Sequence, residues 1–313
     1  MTTAVATATP RRLLPHLSRK AAANAWHKRT LYLFLLPFAA LTAIFGLWPI
    51  GQSIYLSFTE SYTALSPQPV FVGLENFREI LSNPDFLDSL WRTLLFTFVS
   101  VVLNVLVALA LAVMLSQPTL ERGRTLFKLA IFLPVITPDV AGFIVWKWMF
   151  NQDFGVVNAV LHGLGLPAFA GVTEPVSAFA TLTIVELWHH VGLYTLIFLT
   201  NLQLLDRDLD EAARIDGATR WQRFRYVTLP QLRPAIIINS VYALIEFLKT
   251  FTVIVVITRG GPNFSTNFVS YFAYTKFGNA QYGEAMAMAT VLFAAVAVLA
   301  AALVWAMSRG DYR

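Results

Sequence analysis

The run Leu94–Met114, LLFTFVSVVLNVLVALALAVM, holds 21 consecutive residues without a charge. A helix rises about 1.5 Å per residue, and a hydrocarbon core about 30 Å thick takes about 20 apolar residues to cross. The run therefore reads as a membrane-spanning helix and makes the chain an all-α integral membrane protein. Composition agrees. Of 313 residues, 57% are hydrophobic and 13% charged, and the mean hydropathy is +0.60. Soluble domains carry nearer a quarter of charged residues. There is no cysteine, which excludes a disulfide framework, a thiolate metal site and a cysteine nucleophile.

Five further runs lie around this one. Leu31–Thr59 is uncharged and follows a basic tail, residues 1–30, holding Arg11, Arg12, Arg19, Lys20, Lys28 and Arg29. A cleaved leader carries a shorter apolar core, so this run reads as a retained helix. Leu129–Trp146 is interrupted by Pro134, Pro138 and Asp139, which predicts a static kink or a hinge. Val176–Leu199 and Ile236–Val256 each carry ionisable residues, and Ala285–Met307 is uncharged and alanine-rich. Alanine lets neighbouring helices approach closely. Six transmembrane helices over residues 31–308 result, with a stub at 309–313. With the N-terminus inside, the cytoplasmic segments hold 17 of the Lys and Arg residues, against 6 in outer loops and spans. That bias places both termini and residues 202–234 in the cytoplasm. It also accounts for the net charge of +5 without nucleic acid. Outside, Asn83-Pro84-Asp85 is a helix start, and Thr258-Arg259-Gly260-Gly261-Pro262 is not regular helix.

Residues 206–230 form the longest polar segment with a helical pattern. Asp206, Asp208, Asp210 and Glu211 stand where acid suits the positive end of a helix dipole, and Leu209, Ala212 and Ala213 share one side. Gly217 stops that helix, because glycine takes the left-handed turn other residues resist. Thr219 then opens a second helix, with Gln222 completing a capping box. Trp221 and Phe224 share a face of it among Arg220, Arg223 and Arg225, and Leu229-Pro230 is expected to end it. Two short helices offering small and aromatic side chains read as a plug for a groove on a cytoplasmic partner.

Glu211-Ala212-Ala213, Asp216-Gly217 and Leu229-Pro230, at this spacing, resemble the Glu-Ala-Ala loop of bacterial ABC importer permeases, with Val227 where the pattern has isoleucine. Gly73-Leu74-Glu75-Asn76-Phe77, Asp153-Phe154-Gly155-Val156-Val157-Asn158 and Thr258–Pro262 are similar to the carbohydrate-uptake branch, of maltose and glycerol-phosphate type. They match the first of its two different permease subunits. The resemblance covers nearly all of residues 31–308. It implies a multi-pass protein of the bacterial inner membrane that takes in a sugar or related polyol. The implied partners are a second homologous permease, an extracytoplasmic solute-binding protein, and a cytoplasmic ATPase dimer that carries the ATP and magnesium. It further implies that Glu211 anchors the first short helix and that Ala212 and Ala213 permit close docking. Gly217 sets the angle between the two helices, and Asp216, Leu229 and Pro230 complete the ATPase-coupling set. A permease for a non-sugar solute and a secondary transporter are the alternatives.

Ionisable groups inside spans are expensive and face a cavity or a partner. Glu186, His189 and His190 lie at i, i+3 and i+4, beside Trp188 and Tyr194. Glu246 and Lys249 are i, i+3 on the fifth run, where Asn239 and Thr250 share a face. Hydrogen-bonding groups among aromatic rings suit a sugar, which offers hydroxyls and C–H faces, so Glu186, Trp188, His189, His190, Tyr194, Asn239, Glu246 and Lys249 form a candidate substrate path. Helix-to-helix contact is the other reading of these residues. Glu-x-x-His is also a di-iron bundle spacing, but such sites use a second copy, and this chain has none. No Gly-x4-Gly-Lys-Ser/Thr loop or Gly-x-Ser-x-Gly motif occurs. The chain is expected to bind no cofactor and to leave ATP hydrolysis to separate subunits.

Overall fold

The computed structural model describes residues 32–60, 69–117 and 124–308. The basic tail and the C-terminal stub lie outside the described residues. Among the described residues the protein is all helix, with one isolated antiparallel bridge between Thr59 and Phe71. The described residues form twelve helices in chain order. The first six are α1 Tyr32–Leu56, α2 Glu75–Ser82, α3 Pro84–Ser116, α4 Arg124–Ile136, α5 Asp139–Met149 and α6 Val156–Gly163. The rest are α7 Pro175–Gln203, α8 Arg207–Ile215, α9 at 220–231, α10 Arg233–Leu248, α11 Val269–Gly278 and α12 Tyr282–Ser308. Four of them, α1, α3, α7 and α12, are long and apolar enough to cross a membrane. Two compact units divide between Ser53 and Ile54. The first holds most of α1. Everything that follows lies in the second.

The helix expected at Leu94–Met114 starts ten residues earlier, at Pro84. Asn83 caps it, its side chain accepting the N–H of Asp85 at 2.9 Å. Burial along α3 is the reverse of a soluble helix. Ser89, Thr93, Thr97, Ser100, Asn104, Ala108 and Ala112 are buried, while Leu95, Phe98, Val102, Leu103 and Leu106 are exposed. Small and hydroxylated residues let backbones approach where lipid already solvates the apolar face. Two of the hydroxyls are satisfied within the helix, Thr93 donating to the Ser89 carbonyl and Thr97 to that of Thr93, each at 2.7 Å, while Ser89 donates to the Asn267 carbonyl at 2.6 Å. The stripe packs on α7 and α10, and Phe96 centres the core, its ring 4.8 Å from Phe268 and 5.5 Å from Phe179.

Two expected spans are not straight helices. The third is a pair, Thr125–Ile136 and Asp139–Met149, bent by 106°. The break sits at Pro138 and not at Pro134, which stays within α4. Proline disfavours helical backbone in the residue before it, so α4 closes with the Thr137 N–H on the Pro134 carbonyl. The fifth run, Ile236–Val256, is also split. Helix α10 ends after 16 residues at Leu248, and a π-helical turn follows at Ile254–Thr258. The Lys147 ammonium donates to the Val256 carbonyl at 3.0 Å, and the Ser270 hydroxyl donates to the Thr250 carbonyl. These side chains supply bonds that a continuous ladder would make for itself.

Two of the inter-helix motifs act as clamps. Asn76 donates from Nδ2 to the carbonyls of Ser57 at 2.9 Å and Thr59 at 2.8 Å, and Phe77 packs 5.2 Å from Phe58. Asn158 donates to the Phe169 carbonyl at 2.9 Å and accepts the Phe169 N–H at 2.8 Å. Asn76→Ala strands two buried carbonyls. It is expected to destabilise this end of the bundle by about 2 kcal/mol, read as a lowered midpoint in detergent thermal unfolding.

Candidate functional site

Loop 206–230 adopts the two-helix form its sequence predicts. Asp206 caps α8, accepting the Asp208 N–H at 3.0 Å. At the far end the Ala218 N–H reaches the Ala213 carbonyl at 3.0 Å and the Gly217 N–H reaches that of Arg214 at 3.1 Å. That pair of bonds is a Schellman closure, and Gly217 supplies its left-handed residue at φ +82°. The capping box is present: Gln222 N–H to Thr219 Oγ1 at 3.3 Å, Thr219 N–H to Gln222 Oε1 at 2.8 Å. An ion pair between Arg223 Nη1 and Asp210 Oδ2, 2.6 Å long, ties the two helices. The Asp206 N–H donates to Gln231 Oε1 at 3.3 Å.

One expectation for this loop is corrected. Leu229-Pro230 does not end the second helix, which continues to Gln231. Pro230 has no N–H to complete a helical bond, and the backbone widens into a π-turn at Phe224–Thr228 just before it.

The loop turns side chains of the predicted coupling set outward. Glu211, Ala212, Asp216, Gly217 and Pro230 are exposed, and Ala213 and Leu229 are half-buried. Ile215 is 86% exposed and Trp221 69% exposed, with its ring 5.8 Å from Phe224. Apolar side chains held outward on capped, cross-tied helices are shaped to meet a partner.

A second feature lies within the bundle. A cavity of about 210 Å³ is lined by Asp139, Phe143, Glu186, His190, Glu246, Lys249, Thr250, Phe251 and Thr252. Glu186 is the twelfth residue of α7, about 17 Å along a helix of about 43 Å, so the cavity sits near its middle. Its ionisable groups lie in close contacts. His190 Nδ1 lies 3.0 Å from Glu186 Oε2 and 3.1 Å from the Glu186 carbonyl. Lys249 Nζ is 2.9 Å from Glu246 Oε1, and His189 Nε2 is 3.3 Å from Asp139 Oδ1.

Of the expected path residues, Glu186, His190, Glu246 and Lys249 meet at this cavity. His189 stands behind it through Asp139. Trp188 is elsewhere, its ring 5.5 Å from Trp146 and packed over Gly142. Tyr194 and Asn239 are fully buried where α7 meets α10, with Asn239 Nδ2 donating to the Tyr194 carbonyl at 3.3 Å. They do not line the cavity. Asp139, Phe143, Phe251 and Thr252 are additions. Asp139 carries its own signal, a carboxylate inside an apolar run, beyond the helix break for which the sequence singles it out. Among the described residues no group of three or more His, Asp or Glu side chains is placed to hold a metal ion.

Residues 85–309 match the family model described as the binding-protein-dependent transport system inner membrane component. The chain is 32% identical over 265 residues to the trehalose/maltose transport system permease protein MalF of Thermococcus litoralis, covering 85% of this chain and 89% of that protein. It is 36% identical over 247 residues to the lactose transport system permease protein LacF of Rhizobium radiobacter, covering 78% and 81%. Its fold is similar to a chain of the bacterial alginate ABC transporter solved with an alginate pentasaccharide-bound periplasmic protein. That match has a TM-score of 0.78 at 22% identity and covers 93% of this chain and 96% of the other.

Proposed function

We infer, from the premise that this chain belongs to the binding-protein-dependent transport system inner membrane components, that it imports a sugar or related polyol at the expense of ATP. It is a permease subunit of an ABC importer. Its complete form has six membrane crossings, with α4–α5 and the split fifth run each serving as one, and with both termini in the cytoplasm. An extracytoplasmic binding protein delivers the solute, a second homologous permease closes the path, and a cytoplasmic ATPase dimer holds ATP and magnesium. Residues 31–308 make up the permease domain and residues 206–230 the coupling loop. Glu211, Ala212, Ala213, Asp216, Gly217, Leu229 and Pro230 contact the ATPase.

The observation that carries this reading is the outward presentation of α8 and α9 on a loop braced by the Arg223–Asp210 pair. A loop transmits motion only if the ATPase holds it differently in its open and closed states. A braced pair of helices passes that difference on, and a slack one absorbs it. Solute then moves past Glu186, His190, Glu246 and Lys249, where hydroxyls find carboxylate, imidazole and ammonium partners and Phe143 and Phe251 offer ring faces. The break at residues 249–251 puts non-helical backbone beside a path, the one place a membrane tolerates it.

Proteoliposomes holding the whole importer test this. Uptake of a neutral disaccharide is expected to cease on ATP removal and to survive collapse of ion gradients. Uptake that survives without ATP and fails without the gradient identifies a secondary transporter instead.

A further inference from the structure

The relatives of this chain are named for chemically different cargoes, neutral disaccharides in MalF and LacF and an acidic polysaccharide in the alginate importer. The intramembrane cavity bears on the choice between these classes. It is bounded by three carboxylates, Asp139, Glu186 and Glu246, and by one ammonium, Lys249. That ammonium is bound to Glu246 at 2.9 Å. The nearby imidazoles of His190 and His189 face Glu186 and Asp139 at 3.0 and 3.3 Å. The net charge of this cluster therefore runs from −2 with both imidazoles neutral to 0 with both protonated. Carboxylates outnumber the ammonium three to one. The cation nearest by sequence on α5, Lys147, is committed to the Val256 carbonyl at 3.0 Å. A carboxylate, sulfonate or phosphate entering the cavity would meet carboxylates at close range, in surroundings that screen poorly.

We propose that this cavity selects uncharged polyhydroxylated solutes over anionic ones, and that the Glu246–Lys249 pair is the element that sets the selection. The inference rests on the sugar-importer reading and deepens it. Carboxylates accept hydroxyl hydrogen bonds strongly, so the cluster that repels an anion is well suited to a neutral sugar. Glu246 withholds the one ammonium that an acidic sugar would use. Lys249 is the more exposed partner, its side chain 55% accessible against 26% for Glu246, so a freed Lys249 remains within reach of solute.

The test uses the assembled importer in detergent without its binding protein, so that selection upstream plays no part. Saturation-transfer NMR detects weak binding of matched probes: maltose, trehalose and lactose against maltobionate, trehalose 6-phosphate and lactobionate. The wild type is expected to favour the neutral member of the pair it accepts by about tenfold or more. Glu246→Gln, which frees Lys249, is expected to cut that ratio at least threefold, by a gain of signal for the acid that misfolding does not produce. Lys249→Met is expected to raise the ratio. Equal or stronger transfer to the acids in the wild type overturns the inference and leaves the sugar reading standing. A wild-type preference unmoved by either substitution overturns the role given to the pair. An importer that hydrolyses ATP yet transfers saturation to none of the six probes overturns the sugar reading, and the inference with it.

Discussion

Gly217→Asp is expected to leave the protein inserted and folded while lowering ATP-driven uptake at least tenfold. The reasoning starts from two facts about the position. Its backbone is left-handed at φ +82°, and a Cβ added there meets no atom within 4 Å. Nothing in the chain's own packing resists a side chain, so the folding penalty is the local backbone cost of about 1–2 kcal/mol, with aspartate at the lower end. The functional penalty is separate. The new carboxylate sits beside Asp216 at the negative end of α8, where a helix dipole disfavours it, and on the outward surface assigned to the ATPase. A loss of about 1.4 kcal/mol in docking is already a factor of ten. Immunoblots of membranes and solute uptake measured together separate the two effects. Gly217→Ala, which keeps the strain and omits the charge, is expected to fall between the two. Normal uptake by Gly217→Asp would remove the loop from the mechanism.

Gly192→Leu is expected to do the opposite and abolish the folded protein. Gly192 lies on α7 where it crosses α4, and a Cβ there stands 2.3 Å from the Ile131 carbonyl oxygen and 2.8 Å from Val135. The first obstacle is backbone, which cannot rotate aside, so the two helices must separate. Overpacking of this kind costs about 3 kcal/mol or more. Fluorescence-detected size exclusion is expected to lose the monodisperse peak. Gly163→Leu, where an added Cβ meets nothing within 4 Å, is expected to retain it.

These two glycines also mark how far the sequence reaches. Gly217 is legible because its role is local: an amphipathic turn, a stop and a capping box lie within a dozen residues of it, and each forms as the pattern requires. Asn83-Pro84 and the uncharged run after it are legible for the same reason. Gly192 carries no such sign, since what makes it indispensable is a carbonyl 61 positions earlier. The break after Leu248 is hidden in the same way. Phe251–Val256 is as apolar as any spanning helix, and what opens it there comes from Lys147 and Ser270, on other elements. The polar cluster is half legible. Glu186, His190, Glu246 and Lys249 announce themselves as charges in apolar runs and do meet. Trp188 shares their stretch of helix but projects onto Gly142. Residue spacing identifies a face, and only packing says which face a cavity claims.

On the reading proposed above, residues 206–230 hold this chain to an ATPase. Mass spectrometry of whatever copurifies with the gently solubilised, tagged protein from its own host reads that attachment. The expected result is an ATPase together with a second membrane permease in wild-type samples, with the ATPase depleted at least tenfold by Gly217→Asp and the second permease retained. Recovery of the ATPase in equal amounts from both samples, or of this chain alone under conditions that preserve other membrane complexes, would contradict it.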